Sequence, residues 1–294
     1  MPGSSAFQDQ DRPVLLLGAT GMLGRAWSRL LDQHEITWFG PSRNELDFQD
    51  PRLLNNIAVE NYSILINCVA WTDVDGAEDH ESEANTINNE AAARLARRCE
   101  QTNTKMVHYS TDYVFSGDDQ KPYKVLDPIS PQNAYGRTKA SSESSIYEVN
   151  REALTIRTSW LYAPWGKNFV RTMLHLATER ESLQVVNDQI GTPTDCQHLA
   201  ELSFNLLQKG QRGIWHITDG GSCTWFDFAR TAISLAGLNC TVHPCESSAY
   251  PTKAKRPRYS VLNVQETEEI CGPLPGWERN LKRVIAQMEH PHVK

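Results

Sequence analysis

A tyrosine and a lysine, Tyr135 and Lys139, stand four residues apart in the sequence. On a helix this spacing places both side chains on one face. Free tyrosine has a pKa of about 10, and a nearby ammonium group stabilises the phenolate and lowers that pKa. Such a tyrosine can exchange a proton with an oxygen on a carbon that gains or loses hydride. A hydroxyl that orients this oxygen is also needed, and Ser110-Thr111 ends the preceding predicted strand, at the edge where parallel sheets bind ligands.

Hydride exchange requires a dinucleotide, and three glycines upstream have the spacing of a dinucleotide-binding loop. Gly18, Gly21 and Gly24 follow a predicted buried strand and open a predicted helix. The first permits a tight turn, the second lets the backbone approach a pyrophosphate, and the third lets the helix pack on the sheet. The N–H groups at the helix N-terminus then face the phosphates. The alternative is a glycine-rich turn that holds no ligand.

The residues after the second predicted strand indicate which dinucleotide is bound. An NAD site usually places an acidic residue at the end of that strand, but none follows Phe39, and Arg43 lies nearby. An arginine suits the 2′-phosphate of NADPH. We therefore expect NADPH, with NADH as the alternative and a solvated loop cation as the other interpretation of Arg43. Asp47 is a candidate for the edge of the adenine.

Short apolar runs alternate with helical patterns through the first half of the chain. This alternation predicts an α/β fold, a Rossmann-type doubly wound parallel sheet covered by helices on both faces. A helix is predicted over Glu81–Gln101, and Asp50-Pro51 and Ser130-Pro131 are predicted helix starts. The predicted strands are Val14–Leu17, Ile36–Phe39, Ser63–Asn67, Lys105–Ser110 and Ala153–Thr158.

The alternation loosens after about Pro164, where loops such as Pro244–Arg258 become long. Long loops in a compact enzyme often carry the substrate site. We therefore divide the chain into a flexible extension over 1–12, an NADP(H)-binding Rossmann domain over 13–165 and a smaller α/β substrate-binding region over 166–294, of which about 194–207 returns to the Rossmann domain. The later predicted elements are strands at Val185-Val186 and Ile214–Ile217 and helices over Trp225–Ala236 and Trp277–Met288.

Composition narrows the function classes. The 294 residues carry 29 basic and 36 acidic side chains, a balance that argues against nucleic-acid binding. No apolar run approaches the roughly 20 residues of a membrane span, and the first twelve residues lack a signal-peptide core. Seven cysteines without a Cys-x-x-Cys pair indicate reduced thiols. Cys240, His243 and Cys245 are too few for a closed zinc site, so we expect a cytoplasmic protein without a resident metal.

Six longer stretches resemble the extended short-chain dehydrogenase/reductase family, over nearly the whole chain from Pro13 to Ile285. Within it, the resemblance is greatest to the branch that reduces a dTDP-linked 4-keto-6-deoxyhexose and so forms dTDP-L-rhamnose for cell-surface polysaccharide. Together the stretches are more specific than the two generic motifs. They are Tyr109–Phe115, Ser130–Lys139, Arg157–Tyr162, Asn187–Thr194, Gly213–His216 and Arg256–Ser260.

The resemblance implies roles for matching residues. In the implied reaction NADPH reduces the 4-keto carbon, Tyr135 acts as general acid on the carbonyl oxygen, Thr111 hydrogen-bonds that oxygen, and Lys139 lowers the pKa of Tyr135 and contacts the ribose. Asn88 matches an asparagine that supports the site. The implied cofactor-binding residues are Gly18, Thr20, Gly21, Met22, Leu23, Gly24, Arg43, Asp47, Ala70, Thr72, Tyr135 and Lys139. The implied substrate-binding residues are Thr111, Asp112, Tyr113, Trp160, Gln189, Thr192 and Arg256.

Several of these positions have plainer interpretations. Tyr113 and Trp160 could be core aromatics, and Gln189 could be a loop residue whose hydrogen bonds are satisfied within the protein. Asp75 and Glu78 continue the stretch Cys68–Thr72. For these two residues we favour a structural role over a catalytic one.

The chain also departs from the family pattern. Ala26 stands where some members hold Mg²⁺ at a dimer interface through a glutamate, which puts that metal and that dimer in doubt and leaves a homodimer open. Gly76 replaces a residue that is commonly lysine. Asp112-Tyr113, with no adjacent glutamate, disfavours a dehydratase.

Other functions stay open. One is another sugar-nucleotide 4-ketoreductase or epimerase of the same family. The other is a non-catalytic, NADP-binding regulatory subunit that resembles the β subunit of methionine adenosyltransferase. The presence of Thr111, Tyr135 and Lys139 favours an enzyme.

Overall fold

The computed structural model describes residues 12–50, 52, 54 and 56–288. In chain order its strands are β1 (Val14–Leu17), β2 (Trp38–Phe39), β3 (Ile64–Asn67), β4 (Lys105–Thr111), β5 (Leu154–Thr158), β6 (Leu161–Tyr162), β7 (Ser182–Val186), β8 (Ile190–Gly191), β9 (Thr194–Asp195), β10 (Gly213–His216), β11 (Cys223–Thr224) and β12 (Thr241–Cys245). Its helices are α1 (Met22–Gln33), α2 (Gly76–Asp79), α3 (Glu81–Asn85), α4 (Ala91–Thr102), α5 (Ala134–Val149), α6 (Phe169–Glu179), α7 (Cys196–Gln208), α8 (Trp225–Leu235), α9 (Gln265–Cys271) and α10 (Trp277–Gln287).

Six strands form one parallel sheet in the order β10, β5, β4, β3, β1 and β2. The order reverses at β1, because β2 lies on one side of it and β3 on the other. In such sheets ligands bind at this reversal, beyond the carboxyl ends of the strands. The predicted α/β fold with a doubly wound parallel sheet is therefore confirmed.

Helices cover both faces of the sheet, and strands β1 and β3 are accordingly buried, near-continuous apolar runs. On one face, α1 and α7 are joined to β4 through Trp27, whose Nε1 donates to the Tyr109 hydroxyl at 2.7 Å, and this hydroxyl donates to Ser203 Oγ at 2.9 Å. On the other face, buried residues of α4 and α5 such as Leu95 and Ile146 form a second core. These two layers hold the strand ends in place.

The second half of the chain contributes a strand to the main sheet. Strand β10, which the sequence assigned to the substrate-binding region, pairs with β5 as the sixth strand of the main sheet. The remaining strands form three small pairs, β6 with β9, β7 with β12 and β8 with β11. Helices α6, α8 and α10 pack beside them around an aromatic core that includes Tyr162, Phe228 and Trp277. Within the described residues, no helix has the length and apolar character needed to cross a bilayer.

Two helix predictions were wrong in detail. The predicted helix over Glu81–Gln101 is interrupted by a π-helical turn at Thr86–Glu90, between α3 and α4. Helix α5 begins at Ala134 instead of at Ser130-Pro131, because the Asn133 side chain accepts the Gly136 N–H at 2.7 Å and caps it there. Pro51 of the predicted helix start at Asp50-Pro51, and residues 1–11 of the predicted extension, lie outside the described residues.

A buried ion pair joins α5 to the main sheet. Arg157 on β5 donates to both carboxylate oxygens of Glu143 on α5, at 2.9 and 2.7 Å, and each side chain is only 3% exposed. Ser110 Oγ donates to the same carboxylate at 2.5 Å. The pair therefore fixes the helix that carries Tyr135 against the strands beneath it.

Replacing Glu143 by alanine leaves the Arg157 charge buried and unpaired, a change that typically costs about 3–5 kcal/mol. We expect the free energy of unfolding in urea to fall by an amount of that order. The matched control is Glu152→Ala, which removes an ion pair of Arg212 whose side chains are 63% and 64% exposed. Exposed pairs contribute little, so equal losses in the two variants would contradict this account.

Candidate active site

The glycine loop joins β1 to α1 at the reversal of strand order. Gly18 has a φ of +78°, a conformation that favours glycine, and its carbonyl oxygen accepts the Gly21 N–H at 3.0 Å. A Cβ atom added to Gly24 would lie 2.0 Å from the Gly18 carbonyl oxygen, so no other residue fits there. The loop thus brings the N-terminus of α1 against the end of β1.

A cleft of about 400 Å³ opens at this loop. Six of the predicted cofactor-binding residues line it: Gly18, Thr20, Gly21, Arg43, Asp47 and Ala70. The loop glycines leave the room that a diphosphate needs, and Arg43 is an exposed cation at the rim. These residues fit the adenosine and diphosphate part of NADPH.

Three other predicted cofactor residues lie differently. The Leu23 side chain is buried in the core, and Thr72 is exposed and outside the lining of the cleft. Met22 lies against the loop between β6 and α6, where Trp165 Nε1 donates to the Met22 carbonyl oxygen at 3.0 Å. A side-chain contact with a cofactor is therefore not indicated for Leu23.

The predicted catalytic residues come from β4 and α5. Thr111 is the last residue of β4, and Tyr135 and Lys139 lie on successive turns of α5. The Tyr135 ring stands edge-on to the Tyr113 ring, with 6.0 Å between centroids. Thr111 Oγ1 donates to Asp112 Oδ1 at 3.0 Å and accepts the Tyr113 N–H at 3.2 Å, and it lies close enough to Tyr135 to affect its titration.

The predicted lowering of the Tyr135 pKa was wrong. Burial raises the pKa of Tyr135 to about 12, although the Thr111 hydroxyl opposes this shift. The Lys139 Nζ donates to the Tyr109 carbonyl oxygen at 2.5 Å and lies 3.3 Å from His108 Nε2. Burial lowers the pKa of Lys139 to about 8, against the opposing charge of Glu143.

Asp112 is a buried carboxyl beside the predicted catalytic threonine. Only 2% of it is exposed, and its Oδ2 atom has no hydrogen-bond partner among the described residues. Burial raises the pKa of Asp112 to about 7. A buried carboxyl oxygen without a partner is costly, which makes Asp112 Oδ2 a candidate to accept a hydrogen bond from a ligand.

Asn88 supports the site from the π-helical turn. It is 1% exposed; its Oδ1 accepts the Trp71 N–H at 2.8 Å, and its Nδ2 donates to Thr138 Oγ1 at 2.9 Å. It therefore ties the segment after β3, which lines the cofactor cleft, to α5. The π-helical turn at Thr86–Glu90 thus carries a residue that supports the site, as such turns often do.

A second, larger cleft of about 850 Å³ lies in the C-terminal half. Gln189 and Arg256 line it, as predicted for substrate contacts. Thr192 does not: it is fully buried and donates to the Gly221 carbonyl oxygen at 3.0 Å. We therefore do not retain Thr192 as a substrate contact.

Sequence reasoning missed several residues of this larger cleft. Trp225 lines it and stacks on Trp160 with 3.5 Å between ring centroids. Trp160 has a φ of +47°, a strained conformation for a bulky residue. Three further cations, Lys253, Lys255 and Arg258, also line the cleft; the clustering of basic residues over 253–258 was the signal that could have found them.

These features define a class of protein. A glycine loop at the reversal of a parallel sheet, with threonine, tyrosine and lysine at the carboxyl end of β4 and the start of α5, is the site of a nucleotide-dependent oxidoreductase of the short-chain dehydrogenase/reductase type. Residues 12–290 match the family described as the RmlD substrate binding domain. The chain belongs to that family.

Individual relatives of this chain are also named as reductases of dTDP-linked keto sugars. The chain is 34% identical to the dTDP-4-dehydrorhamnose reductase of Salmonella typhimurium, over 94% of this chain and 97% of the relative. It is 39% identical to the dTDP-4-keto-6-deoxy-D-glucose reductase of Streptomyces niveus, over 92% and 96%. Among solved structures, the dTDP-4-dehydrorhamnose reductase of Bacillus anthracis in complex with NADP superposes with a TM-score of 0.90 at 33% identity, covering 94% of this chain and 99% of that one.

The shifted pKa values of Lys139 and Tyr135 predict how these two side chains titrate. As pH rises through about 8, Lys139 loses its proton because its folded-state pKa is lowered. Tyr135 stays protonated until about pH 12. We expect the NMR signals of labelled lysine side chains to show one transition near pH 8 that is missing in Lys139→Met.

The control is the ultraviolet absorbance of tyrosinate. The difference between the wild-type protein and Tyr135→Phe should stay flat up to about pH 10, the range in which free tyrosine already ionises. A difference signal that develops near pH 8 would contradict the burial argument.

Proposed function

We propose that this protein catalyses the NADPH-dependent reduction of the 4-keto group of dTDP-4-dehydro-L-rhamnose to dTDP-L-rhamnose, a step of nucleotide-sugar synthesis for cell-surface polysaccharide. The observation that carries the proposal is the placement of Thr111, Tyr135 and Lys139, in a member of this family, at the carboxyl end of the sheet that also bears the glycine-lined cleft. A second, cationic cleft supports a sugar-nucleotide substrate.

The cofactor would be held by the loop Gly18–Gly24, by Arg43 at the 2′-phosphate and by the backbone near Ala70. Asp47 would contact the adenosine end, and Tyr135 and Lys139 would contact the nicotinamide ribose. NADPH, when bound, supplies the hydride that reduces C4 of the sugar. The NADP complex of the Bacillus anthracis relative supports this choice over NADH.

Tyr135 is suited to donate a proton. Its phenol is protonated at neutral pH, as a general acid must be, but the burial that raises its pKa to about 12 also makes release of the proton harder, so the phenolate needs a group that stabilises it. Thr111 would donate a hydrogen bond to the same carbonyl oxygen and orient it. The Lys139 cation, still charged below about pH 8, would stabilise the phenolate that remains after proton transfer.

The substrate would span the larger cleft. Arg256, with Lys253, Lys255 and Arg258, offers cations for a diphosphate, and Gln189, which donates to Ser247 Oγ at 2.9 Å, is buried beside them. Asp112 has a free carboxylate oxygen for a sugar hydroxyl. Tyr113 and the Trp160–Trp225 stack would pack against the sugar or the base.

A second candidate differs only in the sugar. The relative from Streptomyces niveus is named a dTDP-4-keto-6-deoxy-D-glucose reductase and is 39% identical to this chain. Its residues and cofactor would be the same, and the two functions differ in the configuration of the product. Identification of the product sugar separates them.

Tyr135→Phe removes the proton donor and keeps the ring. We expect oxidation of NADPH with enzymatically prepared dTDP-4-dehydrorhamnose to fall by at least about 100-fold, the lower range for loss of a general acid. The dissociation constant for NADPH should change much less, by no more than about tenfold, because Tyr135→Phe removes one contact with the nicotinamide ribose and leaves the glycine loop untouched.

Product analysis by NMR accompanies this assay. A wild-type protein that binds NADPH but oxidises it with neither keto sugar would refute the reductase proposal. It would favour the non-catalytic regulatory subunit, for which Tyr135→Phe changes nothing.

Arg43→Ala removes the cation proposed for the 2′-phosphate. Loss of such a charge-assisted contact should raise the KM for NADPH by about tenfold and leave the KM for NADH unchanged. Steady-state kinetics with both cofactors checks this. Equal increases for the two would assign Arg43 to another role.

Three features stay predictions: a homodimer, the absence of a resident Mg²⁺ and a cytoplasmic location. The position of the doubtful Mg²⁺ ligand, Ala26, is fully buried in the core. All seven cysteines are free thiols, which supports a reducing compartment.

A further inference from the structure

One acidic side chain outside the larger cleft holds an arginine that lines it. Asp75, just before α2, accepts from Arg256 Nη1 at 2.9 Å and from Arg256 Nη2 at 2.7 Å. This is a bidentate pair, which fixes the guanidinium plane as well as its position. The two residues are 181 positions apart in sequence, so the contact joins the Rossmann half of the chain to the loop that lines the cleft.

Asp75 also holds the backbone of that loop. Its Oδ1 atom accepts the Ala254 N–H at 2.9 Å, while Arg256 Nη1 donates to the Ala254 carbonyl oxygen at 3.0 Å. The carboxylate therefore closes a small ring that contains both the side chain of Arg256 and the main chain two residues earlier. The conformation of the loop and the direction of the guanidinium are set together.

The pair leaves part of the arginine available. A guanidinium has five N–H donors, and Asp75 and Ala254 take three of them. Among the described residues, no hydrogen bond occupies Nε–H or the second Nη2–H of Arg256, whose side chain is 23% exposed. Two donors in a fixed plane suit two oxygens of a diphosphate.

The negative charge of Asp75 opposes the binding of an anion at Arg256. An aspartate next to Arg256 lowers the positive potential that a diphosphate meets. If charge alone mattered, removal of Asp75 would tighten anion binding. If orientation matters more, removal would weaken it, and the sign of the effect decides between the two.

We propose that Asp75 is a positioning residue, which sets the affinity for the sugar nucleotide by holding Arg256 and the loop 254–256 in the geometry that receives the diphosphate. The proposal deepens the proposed function and rests on it, since it assumes a nucleoside diphosphate in the larger cleft. It assigns no contact with the substrate to Asp75 itself.

The test uses the full-length protein and Asp75→Asn. We expect the dissociation constant for dTDP, measured by calorimetry, and the KM for the keto-sugar nucleotide both to rise about tenfold, as for loss of a bidentate charged pair. Among the described residues, no hydrogen bond joins Asp75 to Tyr135 or to the glycine loop, so kcat and the dissociation constant for NADPH should stay within about twofold.

A double-mutant cycle tests whether Asp75 acts through Arg256. Arg256→Ala should weaken dTDP binding, and Asp75→Asn should then add less than about twofold in the Arg256→Ala background. Arg256→Lys keeps the charge but not the bidentate geometry, so it should behave like Asp75→Asn; it also serves if Asp75→Asn does not fold. The matched control is Glu81→Gln, which breaks another bidentate pair of this segment, with Arg137 at 2.8 and 2.7 Å, and should leave dTDP affinity unchanged.

Several outcomes would overturn the proposal. They are an unchanged or tighter affinity for dTDP in Asp75→Asn, an equal effect of Asp75→Asn with and without Arg256, and a parallel loss of NADPH affinity and Tm. Wild-type protein that binds none of dTDP, UDP and GDP would overturn it as well. Wild-type protein that binds dTDP without turning over either keto sugar would refute only the proposed function, and the comparison of variants would stand.

Discussion

The hydrogen bonds at the start of α5 are the constraint on which the site depends. Asn133 caps the helix and its Nδ2 donates to the Lys255 carbonyl oxygen at 2.9 Å, while Glu78 accepts the Ala134 N–H at 2.7 Å. Three segments far apart in sequence thus meet at one helix end. Since Tyr135 and Lys139 lie on the first two turns of α5, their positions follow from this meeting point.

Four buried titratable groups lie where α5 packs on strands β4 and β5. Lys139, His108, Glu143 and Arg157 are each less than a twentieth exposed, and the pKa of His108 is lowered well below its usual value by burial and by the charge of Lys139. Such groups are costly to bury, and the ion pair of Glu143 and Arg157 and the hydrogen bond from Lys139 to the Tyr109 carbonyl oxygen offset part of this cost.

Much of this could be predicted from the sequence because it is encoded locally. The glycine loop, the strands of the Rossmann half and the spacing of Tyr135 and Lys139 each depend on neighbouring residues. The remainder depends on contacts over long distances in the chain: the bond from Asp75 to Arg256, the stacking of Trp225 on Trp160, and β10 joining the main sheet. The predicted start of α5 was wrong because the position of its cap depends on tertiary partners. The predicted direction of the Tyr135 pKa shift was wrong because spacing on a helix does not reveal how deeply a side chain is buried.

The return of β10 to the edge of the main sheet has a consequence for how the molecule can be divided. A chain cut after residue 165 would leave β5 as an open edge, with unpaired N–H and C=O groups where β10 now binds. It would also uncover the face of α1 on which α7 packs. The segments 13–165 and 166–294 therefore share one sheet and one helix layer, so a cut at that boundary would expose backbone groups and apolar surface that the other half now covers.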